Sequence, residues 1–191
     1  MTTRVALAYL LILSYFVVER LLRQGQPALS LQPGQSDQSS SKMLWISGLF
    51  NLLLVLIAPL LNTVSLGHWQ NLWGSWLGLG LMVSGLCLRY WAAKTLGKFY
   101  TRTLQTFEGQ DIIEQAPYNL IRHPGYLGTF LWIIGAGLAV ENWIVTVTVT
   151  AVGLLSRIYR IRSEEAMLLA ELSEQYQAYS QKTWRLVPLI Y

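Results

Sequence analysis

The chain has 191 residues, of which 53% are hydrophobic and only 13% charged, with a mean hydropathy of +0.38. Soluble domains carry about a quarter charged residues, so this composition excludes disorder and argues against a soluble globular domain. A single cysteine, Cys87, excludes an intramolecular disulfide and a multi-cysteine zinc site, and two histidines leave little for any metal. The net charge of +4 would point a soluble protein towards nucleic acid; here the charges sit at the ends of apolar runs, so no nucleic-acid partner is expected.

Charge-free stretches set the elements. Val5–Val18 is uncharged, and so are all 46 residues of 43–88. A helix crosses about 30 Å of hydrocarbon with about 20 apolar residues, so 43–88 accommodates two crossings. They part at the polar turn Asn62–Trp73. The sequence predicts five spans: 4–23, 43–61, 74–96, 124–140 and 143–160. Arg4 ahead of an apolar core resembles a signal peptide, but no small-x-small cleavage site follows, and the first span is read as an uncleaved helix. Residues 24–41, rich in Gln, Ser, Pro and Gly, read as a flexible polar loop without chemistry. Residues 97–123 form a long loop whose Phe99, Tyr100, Phe107, Ile112, Ile113 and Tyr118 are expected to pack. Ser163 followed by Glu164 and Glu165 reads as the start of a separate amphipathic, interfacial tail helix. The expected fold is therefore all-α, a polytopic membrane helix bundle forming one domain over 1–191.

Thirteen of the fourteen Lys and Arg residues fall on one side of this topology. The positive-inside rule makes that side cytoplasmic, with the N-terminus outside and the C-terminus inside. Trp45, Trp69, Trp73, Trp76 and Trp143 lie near span ends, as interfacial aromatics do. Cys87, inside an apolar span, reads as packing, and His68 as interfacial.

Two clusters could carry chemistry. Arg122-His123-Pro124-Gly125-Tyr126-Leu127-Gly128 opens the fourth span. Pro124 suits the first helical position, His123 is pushed out of helical geometry, and the free N–H groups of the next turn favour an anion. The same pattern also reads as a plain helix start with small packing residues. Arg157, Arg160, Arg162, Glu164 and Glu165 join the last span to the tail. Arg160 with Glu164, and Arg162 with Glu165, are spaced to pair on a helix. That cluster reads equally as a snorkelling basic girdle or as a site.

Taken together, Pro117-Tyr118-x3-Arg122-His123-Pro124-x-Tyr126-x-Gly128, Arg160-x4-Glu165, Glu174-x-Tyr176-x2-Tyr179 and the ending 185–190 resemble the isoprenylcysteine carboxyl methyltransferase family. The resemblance covers roughly 85–191, with 1–84 supplying N-terminal helices and the polar loop. It implies an integral membrane enzyme using S-adenosylmethionine, held on the cytoplasmic side. By the same resemblance His123, Pro124, Tyr126, Leu127, Gly128, Glu164, Glu165 and Tyr176 are cofactor-site positions, and Arg160 and Glu165 the pair at the reacting carboxylate. The implied partners are the bilayer and a lipophilic or prenylated acceptor, with no obligate protein partner. The chain departs from the family pattern at Ala116, Gln110 and Ser173; glycine is expected at the first and last, and histidine near the second. Related membrane methyltransferases act on phospholipid amines, some NADPH-dependent sterol reductases share an Arg-His-Pro-x-Tyr-x-Gly element, and a non-catalytic membrane partner is the remaining alternative.

Overall fold

In the computed structural model, residues 2–22, 39–100, 112–189 and 191 are described; the polar loop to residue 38 and the stretch holding Arg102, Phe107 and Gln110 lie outside them. Five helices follow in order: α1 Thr3–Leu22, α2 Ser40–Thr63, α3 Leu72–Leu96, α4 Pro124–Ala139 and α5 Trp143–Lys182. A 3-10 turn, Gly97–Phe99, follows α3. Four of them are long and apolar enough to cross a membrane; α4, with 16 residues, is shorter. The protein is a multi-pass integral membrane protein.

Helices α2, α3 and α4 turn their small residues inward. On α2 the buried positions are Ser40, Ser41, Ser47, Asn51, Val55 and Ala58. Ile46, Leu49, Leu53 and Leu60 on the same helix are exposed. A soluble helix would do the reverse; in a bilayer, large side chains meet lipid and small ones let helices approach. The tightest approach joins α3 to α4. A Cβ on Gly78 would lie 2.6 Å from Gly135 O, and one on Gly128 would lie 2.6 Å from Gly85 O. Glycines at these four positions bring backbone against backbone over two heptad-spaced contacts. Met82, Ile133, Val145 and Val149 fill the core beside them. Cys87 is exposed on α3 rather than packed, because Gly78 and Gly85 define that helix's inner face.

The side bearing Arg4 is closed by a polar latch. Glu141 Oε1 accepts from Arg4 Nη2 at 2.6 Å and from Ser75 Oγ at 3.1 Å. Asn142 caps α5 by accepting from Val145 N–H and donates to Asn62 Oδ1 and Leu66 O, both at 2.8 Å. His68 Nδ1 lies 3.2 Å from Glu141 O, so the histidine belongs to this latch.

At the opposite end the structure corrects one expectation. No separate tail helix starts at Ser163. Helix α5 runs on through Ser163 to a kink at Ser173, beyond which a second helical stretch continues to Lys182, and Ser163 Oγ donates back to Tyr159 O at 3.2 Å. No Pro or Gly lies between Arg157 and Leu172 to stop it. At 1.5 Å per residue the stretch from Trp143 to Ser173 is about 45 Å long, more than the hydrocarbon thickness, so its last turns stand outside the membrane. The irregularity falls at Ser173, with φ 40 and ψ −113. This is the position where the family resemblance calls for glycine, and only glycine adopts such a backbone without strain.

Candidate active site

Four segments meet at the end of the bundle opposite the latch: the start of α2, the 118–126 segment, the second half of α5 and the C-terminal tail. The tail is tied in by backbone pairing. Arg122 N–H donates to Trp184 O at 2.7 Å, His123 N–H to Arg185 O at 3.2 Å, and Trp184 N–H to Leu120 O at 3.0 Å. The backbone of His123, φ −123 and ψ 54, is non-helical and permits this pairing, as the proline after it keeps it out of the helical region. Pro124 then starts α4, with His123 O accepting from both Tyr126 and Leu127 N–H.

Glu165 is the hub of one network. Its Oε1 accepts from Arg122 Nε at 2.9 Å and lies 3.3 Å from His123 Nε2, while Oε2 accepts from Arg185 Nε at 2.8 Å. Burial alone would push this carboxyl up, but the His123 hydrogen bond and the Arg122 charge outweigh it and hold it at about 2. Arg122 also donates through Nη1 to Ser180 O at 2.7 Å and to Thr183 O, so a cation closes the carbonyl end of α5.

A second network lies beside it. Tyr126 Oη donates to Glu164 Oε2 at 2.6 Å and accepts from Arg160 Nε at 3.0 Å. Arg160, only 2% exposed, also donates through Nη1 to Ser40 and Ser41 Oγ, both at 2.8 Å. The pairs expected from spacing do not form: Tyr126 stands between Arg160 and Glu164, and Glu165 joins Arg122 and Arg185 instead of Arg160 or Arg162. Five residues along a helix is about 140° around it, which sends Arg160 and Glu165 to different neighbours.

His123 stacks on Tyr126, with ring centroids 5.7 Å apart, and so connects the two networks. Tyr176 is 3% exposed, and its hydroxyl has no hydrogen-bond partner among the described residues. Burial, with Glu165 and Glu164 close by, pushes its phenol up. Tyr179 Oη donates to Tyr118 O at 2.8 Å and fixes the adjoining loop, where Tyr100 and Tyr118 are buried as expected. Leu127 is half-buried and Gly128 is occupied with α3, so these two belong to the frame around the networks.

Arg185, Ser40 and Ser41 were not among the residues expected in the site, and Arg122 was expected there only as part of the motif cluster, without a role of its own. Arg122 stands in the motif itself and Arg185 opens the closing segment, so both carried a signal. The serines carried none: they end a Ser- and Gln-rich stretch read as free of chemistry. A third ion pair, Arg89 with Glu19, supports the site from α3 and α1. Tyr100 Oη donates to Glu19 at 2.9 Å, and Arg89 Nη1 donates to Gly125 O at 3.0 Å and Thr129 Oγ1 at 2.7 Å.

The isoprenylcysteine carboxyl methyltransferase (ICMT) family model matches residues 76–170. A probable protein-S-isoprenylcysteine O-methyltransferase of Oryza sativa subsp. indica is 33% identical over 120 residues, 61% of this chain and 62% of that protein. The enzyme of that name from Tribolium castaneum is 31% identical over 120 residues, covering 62% of this chain and 43% of its own length. The chain thus spans less than two thirds of these relatives. The solved structure of the eukaryotic intramembrane Ras methyltransferase ICMT superposes with a TM-score of 0.64 over 96% of this chain and 68% of that one, at 24% identity, a likeness of fold. From α3 through the turns of α5 that carry Arg160, Glu164 and Glu165, residues 76–170 are similar to the isoprenylcysteine carboxyl methyltransferase family.

Proposed function

We propose that the protein transfers a methyl group from S-adenosylmethionine to the carboxylate of a lipophilic acceptor, an isoprenylated cysteine or a similar prenyl compound. We also propose that the site faces the cytoplasm, with the N-terminus outside, from the one-sided distribution of Lys and Arg. The observation that carries the reading is the buried Tyr176 hydroxyl, without a partner among the described residues, beside Glu164 and Glu165 in the family segment. An unpartnered hydroxyl next to carboxylates fits a ligand that offers both acceptors and a cationic amine, as S-adenosylmethionine does.

When bound, the cofactor supplies an electrophilic methyl on a sulfonium; a carboxylate oxygen takes it as the carbon–sulfur bond breaks, leaving a thioether and a methyl ester, and no proton moves. The acceptor is already ionised at pH 7, so the protein needs no general base. Its work is alignment and exclusion of water. Arg160, held by Tyr126, Ser40 and Ser41, supplies the cation for the acceptor carboxylate. Glu164, oriented by Tyr126, supplies the negative charge for the cofactor's amine. Glu165 acts as a positioning residue, because its two oxygens serve Arg122, His123 and Arg185.

The test is calorimetric binding of S-adenosylhomocysteine to detergent-purified protein, followed by transfer of labelled methyl to a farnesylated cysteine carboxylate. Micromolar binding and transfer, both lost in Glu165→Ala and transfer alone lost in Arg160→Ala, are expected. A folded protein that binds NADPH but not S-adenosylhomocysteine would overturn the reading.

A further inference from the structure

Beyond the buried Leu186 the tail makes a turn whose residues are all apolar. Positions 187–191 read Val-Pro-Leu-Ile-Tyr. The turn is closed by its own backbone. Val187 N–H donates to Tyr191 O and Tyr191 N–H to Val187 O, both at 3.0 Å, and Leu186 N–H donates to Tyr191 O at 2.7 Å. Leu189 stands at the tip, 84% exposed. Its φ of 69 lies in the left-handed region, where glycine or asparagine sits with less strain. Turns that face water are built from Gly, Asn, Asp, Ser and Pro. A leucine held in that backbone, with its side chain turned away from the core, gains from folding only if its surroundings are apolar.

Neighbouring segments fix the depth of this turn. Arg122 and His123 donate their N–H groups to Trp184 and Arg185 O, which sets the tail level with the start of α4. Helix α4 has 16 residues, about 24 Å of rise, against about 30 Å of hydrocarbon. Its far end stops at polar groups, Glu141 paired with Arg4 and Asn142 bonded to Asn62, which mark the bilayer boundary there. The shortfall therefore falls at the site end, among residues 120–123 and the tail paired to them. Leu120 and Trp184 on that paired stretch are exposed, 54% and 41%, as side chains at a bilayer interface are. Residues 175–191 carry Lys182 and Arg185 and no Asp or Glu, a charge balance that suits phosphate headgroups.

We infer that the 187–191 turn is a membrane-insertion element, with Leu189 entering the leaflet on the site side and Trp184 and Lys182 lying among its headgroups. The occupant is lipid of the membrane that the helices cross, continuous with the lipid that covers their outer faces. The insertion bears on the candidate site through Arg185. The Tyr191 ring lies 5.3 Å from the Arg185 guanidinium, and Arg185 Nε donates to Glu165 Oε2 at 2.8 Å. An inserted turn thus holds the tail cation against the Glu165 hub. This surface does not depend on which group the site transfers.

The test uses the full chain carrying Cys87→Ala, reconstituted in vesicles of phosphatidylcholine with phosphatidylglycerol. A nitroxide is attached at Leu189→Cys, with Leu53→Cys on the exposed face of α2 and Glu171→Cys on the exposed face of α5 as references. Power saturation compares collisions with oxygen, which concentrates in hydrocarbon, and with a water-soluble nickel chelate. The label at 189 should favour oxygen, as at 53, and the label at 171 should favour nickel. Hydrogen exchange of the 120–123 amides in the same vesicles reads the docking of the tail. Leu189→Met should leave it unchanged. Leu189→Asn should speed it about tenfold, through loss of one leucine's burial, although asparagine suits the backbone of the tip better. A tip in water would give the opposite sign, because Leu189→Asn would relieve strain and slow exchange. Nickel favoured at 189, slower exchange in Leu189→Asn, or a label shielded from nickel only after a farnesylated peptide is added would overturn the inference, the last assigning the turn to a protein partner. If the labelled Leu189→Cys protein fails to fold, the sign of the Leu189→Asn effect decides.

Discussion

Replacing Ser173 with glycine should stabilise the protein, although glycine inside a helix normally does the opposite. Ser173 holds φ 40 and ψ −113, the one non-helical pair of angles inside the 40 residues of α5. A non-glycine residue in such a region carries strain on the order of 1–3 kcal/mol. Glycine removes the strain but loses about 0.5–1 kcal/mol through its freer unfolded chain. The difference is a gain of up to about 2.5 kcal/mol, or up to roughly 10 °C in melting temperature for a chain of this size. The control is Ala170→Gly, at an exposed position in the same helix, which should lose about 1 kcal/mol, the ordinary helix cost. Thermal unfolding in one detergent, followed by tryptophan fluorescence and by surviving monodisperse protein, reads both. Opposite signs are expected. Equal destabilisation by the two glycines would show that α5 passes through Ser173 as regular helix, and the explanation of the family's glycine there would fail.

Glu165→Gln keeps the shape of the hub and removes its charge. Breaking a buried pair costs about 3–5 kcal/mol, and with Arg185 reaching solvent the expected loss is about 2–3 kcal/mol, partly restored by adding Arg122→Met. The same carboxyl gives a pH signature. Its folded value of about 2 lies below the unfolded value of about 4.3, so its stabilisation is present above about pH 5 and lost as pH falls through 4 towards 2. The melting-temperature gap between wild type and Glu165→Gln should be constant from pH 8 to 5 and shrink below 4; shrinkage between 7 and 5 would contradict the assignment. Gly135→Ala, whose Cβ would press on the α3 backbone, should cost about 1–3 kcal/mol, whereas Gly80→Ala in α3, facing open space, should gain up to about 1 kcal/mol. Two alanines of equal effect would refute the close α3–α4 crossing.

The helices were legible because a bilayer imposes a length and a polarity that show in one dimension. Charge-free runs marked α1 to α4 to within a few residues. Asn71 and Asn142 sit at the caps of α3 and α5, where polar turns interrupt apolar runs. The end of α5 was not legible as drawn, since a helix leaving the membrane need not stop when its composition changes. The candidate site was legible as residues that gather at one end of the bundle and not as a set of partners. The motif brought His123, Tyr126, Arg160, Glu164, Glu165 and Tyr176 to one end of the bundle. Which cation each carboxylate meets depends on helix rotation and on segments far apart in sequence, as with Arg185 reaching back 20 residues to Glu165 and Ser40 reaching 120 residues on to Arg160. What the sequence by itself determined was therefore membrane residence, the helix order and the family motif, all carried by local composition and spacing. Only the tertiary structure decided the two networks and left Arg157 without a counter-ion among the described residues, because a buried charge is defined by everything packed around it.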